Sequence, residues 1–152
     1  MNARTPGLKT LGIAALLLAT LPGVSLAADK TVHLAFNNAV VAATQSGKLD
    51  GSVKFYLAGN TPGGHVTVVN DNISSHKKTN AFGKSDQVSC DWALQSALIS
   101  FQAAAKAAGA NAVTDIVSVQ NGQEYRDPQN YECRVGFLMS DVDLKAKLSK
   151  VH

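Results

Sequence analysis

The segment 86–108 contains neither glycine nor proline and is rich in alanine, glutamine and leucine. Asp86 or Ser85 can cap its start, and Gly109 stands where a left-handed C-cap belongs. The segment therefore predicts a helix roughly 34 Å long. Its apolar residues recur at three- and four-residue steps, and we expect the resulting stripe to pack on a sheet: Cys90, Leu94, Ala97, Leu98, Phe101, Ala105 and Ala108.

The segments on both sides of this helix alternate apolar and polar residues, which is typical of half-buried strands. They predict strands at 28–36, 52–58, 65–69, 112–119 and 131–139. A turn at 70–72 and a returning strand at 73–78 are predicted from a weaker pattern. The strand at 131–139 is predicted to place five residues on its core face: Tyr131, Cys133, Val135, Phe137 and Met139.

Two further segments complete the predicted fold. A short helix is predicted at 39–44, after Asn37 and Asn38 as candidate caps, and the charged tail, 141–152, is expected to add at most one helical turn. The predicted fold class is α+β, with a mostly antiparallel sheet of four or five strands packed on the long helix. Residues 28–152 are short enough to form a single domain.

The first 27 residues have the features of a cleavable signal peptide. Arg4 and Lys9 supply a basic start, an apolar run follows at 11–21, and Ser25-Leu-Ala27 offers small residues at a cleavage site. The alternative is an uncleaved membrane anchor, but a spanning helix needs about 20 apolar residues and this run is shorter. The sequence therefore predicts a periplasmic or secreted protein.

Charge argues against a nucleic-acid partner. The chain has 14 Lys and Arg against 11 Asp and Glu, and loss of Arg4 and Lys9 with the signal peptide leaves a surplus of one positive charge. The remaining basic residues form no cluster larger than Lys77-Lys78. Binding to nucleic acid requires a basic stripe that neutralises phosphates, so we do not expect it.

The chain has two cysteines, Cys90 on the helix stripe and Cys133 on the core face of the last predicted strand. If that face packs on that stripe, the two sulfurs point into the same layer. In an oxidising compartment this placement predicts a disulfide. The alternative is two buried free thiols; a metal site is less favoured because no Cys-x-x-Cys spacing or nearby His pair exists.

A second, weaker apolar stripe lies on the helix away from the first. Trp92 lies about 200° round the helix from Leu94 and stacks with Ser96, Ile99 and Ala103. One interpretation is that the N-terminal helix or a loop covers this stripe. The other is that Trp92 and Ile99 form a partner-binding surface, because tryptophan is enriched at interface centres.

Candidate sites for metal and nucleotide were also considered. His65 and His76 could meet across a hairpin centred near Asp71, which would make a surface metal site. Gly83-Lys84-Ser85 matches only the end of a phosphate-binding loop, because the required glycine five positions earlier is replaced by Lys78. We therefore expect no nucleotide and no other cofactor.

Several segments together resemble a family of small exported proteobacterial proteins. These segments are 78–86, Cys90-x-Trp92-Ala, 108–113 and Glu132-Cys133. Members of that family often carry the label "excinuclease ATPase subunit", although the tripeptide at 83–85 implies no ATPase or excinuclease activity for this chain.

The helix that ends in Gly-Ala-Asn-Ala-Val and leads into a strand is also similar, more distantly, to the Rcs outer-membrane stress-sensor lipoprotein. It is likewise similar to small domains described as putative heavy-metal-binding. The sensor's mature domain is disulfide-bonded and signals by contacts with other envelope proteins. This chain has two cysteines where the sensor has four, and it has no lipid-anchor cysteine, so only the fold is implied.

No catalytic constellation is visible in the sequence, and no Gly-x-Ser-x-Gly nucleophile motif is present. We therefore expect a non-enzymatic binding or envelope-sensing module, whose partner is another envelope protein and which has no membrane anchor after signal cleavage. The alternative is a periplasmic metal-binding domain that uses His65, His76 and Asp71. An enzyme of unrecognised type would require clustered carboxylates or a Ser–His contact.

Overall fold

The computed structural model describes residues 29–152, so the predicted signal peptide lies outside the described residues. The described part is an α+β fold with two helices and a mixed sheet of seven strands. The helices are α1 (Phe36–Gln45) and α2 (Asp86–Ala107). The strands are β1 (Lys30–Ala35), β2 (Lys54–Leu57), β3 (Val66–Asn80), β4 (Ala112–Gln120), β5 (Gln123–Tyr125), β6 (Asn130–Val135) and β7 (Met139–Val151).

Helix α2 agrees with the long helix predicted from the sequence. The Ser85 hydroxyl accepts a hydrogen bond from the backbone N–H of Val88 at 3.3 Å, which satisfies one of the free donors at the helix start. Gly109 follows the C-cap residue Ala108 with a φ of +66°, which glycine adopts without steric cost. The predicted core stripe is buried except at Ala108.

Helix α1 is longer than predicted and begins at Phe36, which the sequence pattern had placed in the preceding strand. Its N-cap residue is Ala35, and no side chain caps the helix, so the predicted caps at Asn37 and Asn38 are wrong. The helix forms because Phe36, Ala39 and Ala43 fall on one buried face, which is enough to hold a short helix by packing.

Strand β7 lies at the centre of the sheet. It pairs along one edge with β3, while its other edge pairs first with β6 and then with β4. Strand β1 extends the sheet beyond β6, and β5 pairs with β4; all these pairings are antiparallel. Strand β2 runs parallel to β4, which makes the sheet mixed. The sheet is larger than the predicted four or five strands.

The charged tail was predicted to add one helical turn, and this prediction is wrong because the tail forms most of β7. Its inward residues are Val142, Leu144, Ala146 and Leu148, all buried. They alternate with charged residues on the outer face, and this two-residue period specifies a strand whatever the net charge of the segment.

The hairpin predicted around Asp71 does not form, because β3 continues through Asn70-Asp71-Asn72 as one strand. Two irregularities in its pairing with β7, between Val68 and Asn70 and between Asn70 and Ile73, absorb these residues. Such bulges bend a strand without ending it. The predicted turn at 70–72 and the returning strand at 73–78 are therefore wrong as a reversal of the chain.

The two helices pack on one face of the sheet, and a single large cluster of buried side chains fills the space between them. The predicted disulfide is present: Cys90 on α2 is bonded to Cys133 on β6. One residue further along α2, the Asp91 carboxylate accepts a hydrogen bond from the Tyr131 hydroxyl at 2.9 Å. Burial raises the pKa of Tyr131, and the charge of Asp91 adds to the effect. Helix and sheet are thus joined by two adjacent links.

Candidate functional site

Two turns lie side by side at one end of the sheet, and both present large apolar side chains to solvent. The first turn connects β3 to α2 and carries Phe82; the second connects β6 to β7 and carries Phe137 and Leu138. Their exposed fractions are 62%, 67% and 59%, the highest among the exposed large hydrophobic residues of the described chain. Burial in the core does not account for these three side chains.

Hydrogen bonds fix the first turn. The Asn80 side-chain oxygen accepts from the backbone N–H of Phe82 at 2.8 Å, and the backbone N–H of Lys84 donates to the carbonyl of Ala81 at 3.0 Å. Gly83 has a φ of +71°, as a tight turn of this kind requires at its third position. Phe82 is therefore held at the corner of the turn and points away from the core.

The second turn corrects the prediction for 131–139. The strand ends at Val135, and the backbone N–H of Gly136 donates to the carbonyl of Met139 at 2.8 Å. Phe137 and Leu138 are left as the two residues of a tight connection. Phe137 and Met139 are both exposed, so their predicted placement on a core face is wrong.

The two turns contact each other. The backbone N–H of Ala81 donates to the carbonyl of Leu138 at 2.8 Å. The rings of Phe82 and Phe137 meet edge to face, with centroids 5.7 Å apart and an angle of 78° between their planes. This is a favoured aromatic geometry. We call this surface the apolar tip and define it by its exposed members: Phe82, Phe137, Leu138 and Met139.

The second stripe of α2 continues from the apolar tip. Val88, Trp92 and Ile99 are 41%, 48% and 40% exposed, so neither α1 nor a loop covers them. The Lys84 ammonium lies 5.3 Å from the centroid of the Trp92 ring, within the range of a cation–π contact. Lys84 thus connects the first turn to the helix. We call Val88, Trp92 and Ile99 the helix stripe.

Lys84 lies in the first turn, and Lys77 and Lys78 lie near the end of β3 that leads into it. Lys77, Lys78 and Lys84 have no carboxylate within 4.0 Å among residues 29–152. Three carboxylates lie at this end: Asp86 pairs with Lys30 at 2.7 Å, the buried Asp141 pairs with Arg134 at 3.0 Å, and the exposed Asp29, beside Gly136, approaches Arg134 at 4.0 Å. This end of the molecule therefore presents free positive charge beside exposed apolar side chains.

A second candidate site is a polar hollow of about 470 Å³ on the face of the sheet opposite the helices. Five charged side chains in it are linked: Arg126 pairs with Asp115 at 3.0 Å and with Glu124 at 3.2 Å, and Lys147 pairs with Asp115 at 3.1 Å. Lys145 approaches Glu124 at 4.0 Å. Each carboxylate in this network has at least one cation as a partner.

Asp115 stands out in this network because it has a φ of 51°, at a bulge in β4. Partial burial acts to raise its pKa, but hydrogen bonds from Lys147 and Arg126 outweigh burial and hold the pKa of Asp115 below its usual value. A general acid or base at neutral pH needs a pKa near the working pH. The shift at Asp115 goes in the opposite direction and is typical of a structural ion pair.

The three proposed metal ligands lie apart in the described structure. His65 directly precedes β3 and His76 lies within it, so their backbones are separated by roughly 30 Å. His76 approaches Asp141 at 3.4 Å, and His65 lies beside His152, with ring centroids 6.5 Å apart. Within residues 29–152, no group of three or more His, Cys, Asp or Glu is arranged to hold a metal ion. Asp71 lines the polar hollow instead.

No family model, curated protein or solved structure matches the chain at a significant level. The similarity to the exported proteobacterial family and to the stress-sensor lipoprotein therefore stays a prediction. Across residues 29–152, none of the helices is both long and apolar enough to cross a membrane.

The sequence pointed to Trp92 and Ile99 but not to the apolar tip. Phe82 stood in a segment interpreted as loop, while Phe137 continued the alternating pattern of a strand. The signal that could have revealed the second turn was Gly136, followed by two large apolar residues that continue past the buried Val135. Glycine inside a strand pattern often marks a bend.

Proposed function

We propose that this chain is an exported, non-enzymatic binding module of the cell envelope that acts through the apolar tip and the helix stripe. The observation that carries the proposal is the exposure of Phe82, Phe137 and Leu138, each more than half accessible at the corner of a turn. Contiguous exposed apolar surface of this kind marks interaction sites.

The signal-peptide pattern and the disulfide support export. The basic, apolar and small-residue regions of 1–27 follow the order of a secretory signal. The Cys90–Cys133 bond suits an oxidising compartment. Both features favour a location in the periplasm or outside the cell.

The polar hollow supports a binding role less well than the apolar tip does. Its carboxylates Asp115 and Glu124 are paired with Arg126, Lys145 and Lys147. A ligand entering there would have to replace ion pairs that already exist, whereas a partner at the apolar tip would only displace water from apolar surface.

Site-specific photocrosslinking in living cells tests the proposal. A photoreactive phenylalanine analogue replaces Phe137, and the same analogue at the exposed Val68, near the opposite end of β7, is the matched control. We expect envelope components to be captured from position 137 and not from position 68. Equal capture at both positions, or none at either, would contradict the proposal.

The same experiment tests export. The protein that is not crosslinked is recovered from the periplasmic or extracellular fraction of the same cells, and its intact mass is measured. We expect the mass of a chain that begins at Ala28. Recovery of the full-length chain from the cytoplasm would show that the predicted signal is not used.

A further inference from the structure

We infer that the partner of the apolar tip is the surface of an anionic lipid bilayer, an inference that rests on the proposed function. Phe82, Phe137, Leu138 and Met139 would enter the interface between headgroups and acyl chains. Lys77, Lys78 and Lys84 would contact the negatively charged headgroups around them.

The shape of the surface favours a bilayer over a protein groove-binder. The apolar side chains stand at the corners of two adjacent turns, and Phe82, Phe137 and Leu138 are more than half exposed. Projecting apolar side chains are buried best by a partner into which they can insert. The headgroup region of a bilayer receives apolar side chains to a depth of about 5–10 Å.

The charges beside the apolar tip favour an anionic surface. Lys77, Lys78 and Lys84 have no carboxylate partner within 4.0 Å among the described residues, whereas Asp86 pairs with Lys30, and Asp141 and Asp29 share Arg134. Lysine near a membrane carries its charge to the headgroups while its stem lies along apolar surface. Each lysine close to an anionic leaflet strengthens binding, and the attraction fades with salt.

Trp92 fits the edge of the same contact. Tryptophan is enriched at the membrane–water boundary because its ring is amphipathic. Trp92 is 48% exposed, and Lys84 of the first turn lies over its ring. In this arrangement the apolar tip would lie at the level of the acyl chains, Lys84 at the level of the headgroups, and Trp92 towards the water.

Vesicle co-sedimentation of the exported protein, purified after processing, tests this inference. The probes are vesicles of phosphatidylcholine alone and vesicles in which one third of it is replaced by phosphatidylglycerol. We expect binding to the second kind, reduced by salt. The pair Phe137→Ser and Leu138→Ser should lower the partition coefficient at least about tenfold, and the pair Lys78→Glu and Lys84→Glu should lower it about tenfold or more.

The matched control is the pair Val68→Ser and Val69→Ser, which removes two exposed apolar side chains near the other end of β3. It should bind vesicles as the parent does. Circular dichroism and thermal unfolding confirm that each variant is folded. Quenching of Trp92 fluorescence by brominated lipid, present in the parent and lost in the Phe137–Leu138 variant, gives a second readout.

Other outcomes overturn the inference. Absence of vesicle binding, with protein crosslinks still formed at position 137, would mean that the proposed function stands and the partner is a protein. Dimerisation without lipid, lost in the Phe137–Leu138 variant, would mean that a second copy covers the apolar tip. Equal binding to both kinds of vesicle would refute the role given to the lysines.

Discussion

At the scale of single residues, the bond between Cys90 and Cys133 joins α2 to β6 across 43 positions of sequence. Both sulfurs are fully buried, as is the neighbouring Tyr131. A crosslink over a loop of this length restricts the unfolded chain and by the chain-entropy model contributes roughly 4 kcal/mol. The bond therefore supplies a large share of the marginal stability of a domain of this size.

Replacement of both cysteines by alanine should lower the free energy of unfolding by about 2–5 kcal/mol. Urea denaturation followed by circular dichroism measures the change. Reduction of the parent protein under the same conditions is the control, and it should reproduce most of the loss. A change below about 1 kcal/mol would contradict a stabilising role for the bond.

Asp115 offers a prediction about pH. Because its pKa is lowered in the folded protein, the charged form stabilises the fold at pH values above the unfolded pKa near 3.9, and this stability is lost as the pH falls through the folded value. Asp115→Asn should therefore cost up to about 1 kcal/mol at neutral pH, as for a partly exposed ion pair. Asparagine also tolerates the left-handed backbone at this position.

The measurement is chemical denaturation of parent and variant between pH 7 and strongly acidic pH, and the two stabilities should converge at the acidic end. Asp143→Asn is the matched control, because Asp143 lies on β7 and has no cation within 4.0 Å among the described residues. A difference between parent and Asp115→Asn that is independent of pH would show that the ion pairs are not its cause.

At the scale of elements, β7 decides whether the sheet forms. Strands β3, β4 and β6 all pair with it, and its inward residues pack against α2. A defect in this strand therefore disturbs both the sheet and its packing against α2.

Leu144→Ala should lower the free energy of unfolding by about 2–5 kcal/mol, because Leu144 is fully buried and its loss leaves a cavity. Lys150→Ala on the same strand removes an exposed side chain and is the control, with an expected change within about 0.5 kcal/mol. Similar costs for the two substitutions in urea denaturation would contradict the central position of β7.

The helices and strands differ in how well they could be predicted from the sequence. Helix α2 was predicted to within one residue, because its caps and stripe are local signals that need no partner. Strand β7 was missed because its lysines and aspartates are typical of a charged tail. They in fact alternate with the buried apolar residues of the strand. The turn residues at 70–72 misled because a bulge and a reversal use the same residue types.

At the scale of the whole molecule, the described chain has two different ends. One end carries the apolar tip and the free lysines, and the other carries His65 and His152, which hydrogen-bond to each other through their backbones. The two ends lie about 40 Å apart along β7. The surface proposed to bind a partner therefore lies at one end of the sheet.

The candidate site could be predicted only in part, for reasons that also belong to this scale. Trp92 and Ile99 were found because a helix repeats its faces regularly along the sequence. Phe82 and Phe137 are 55 positions apart in the chain, and only the sheet brings their turns together. No local sequence pattern indicates that the two turns are in contact, so the apolar tip is visible only in the three-dimensional structure.

The central position of β7 has a consequence for the order of events in the cell. This strand is synthesised after all three strands that pair with it. Strands β3, β4 and β6 therefore cannot complete their pairing until the end of synthesis. The distance in sequence between β3 and β7 also slows folding, since distant pairings close late. For a chain exported as proposed above, this late closure would keep the precursor open during its passage through a secretion pore.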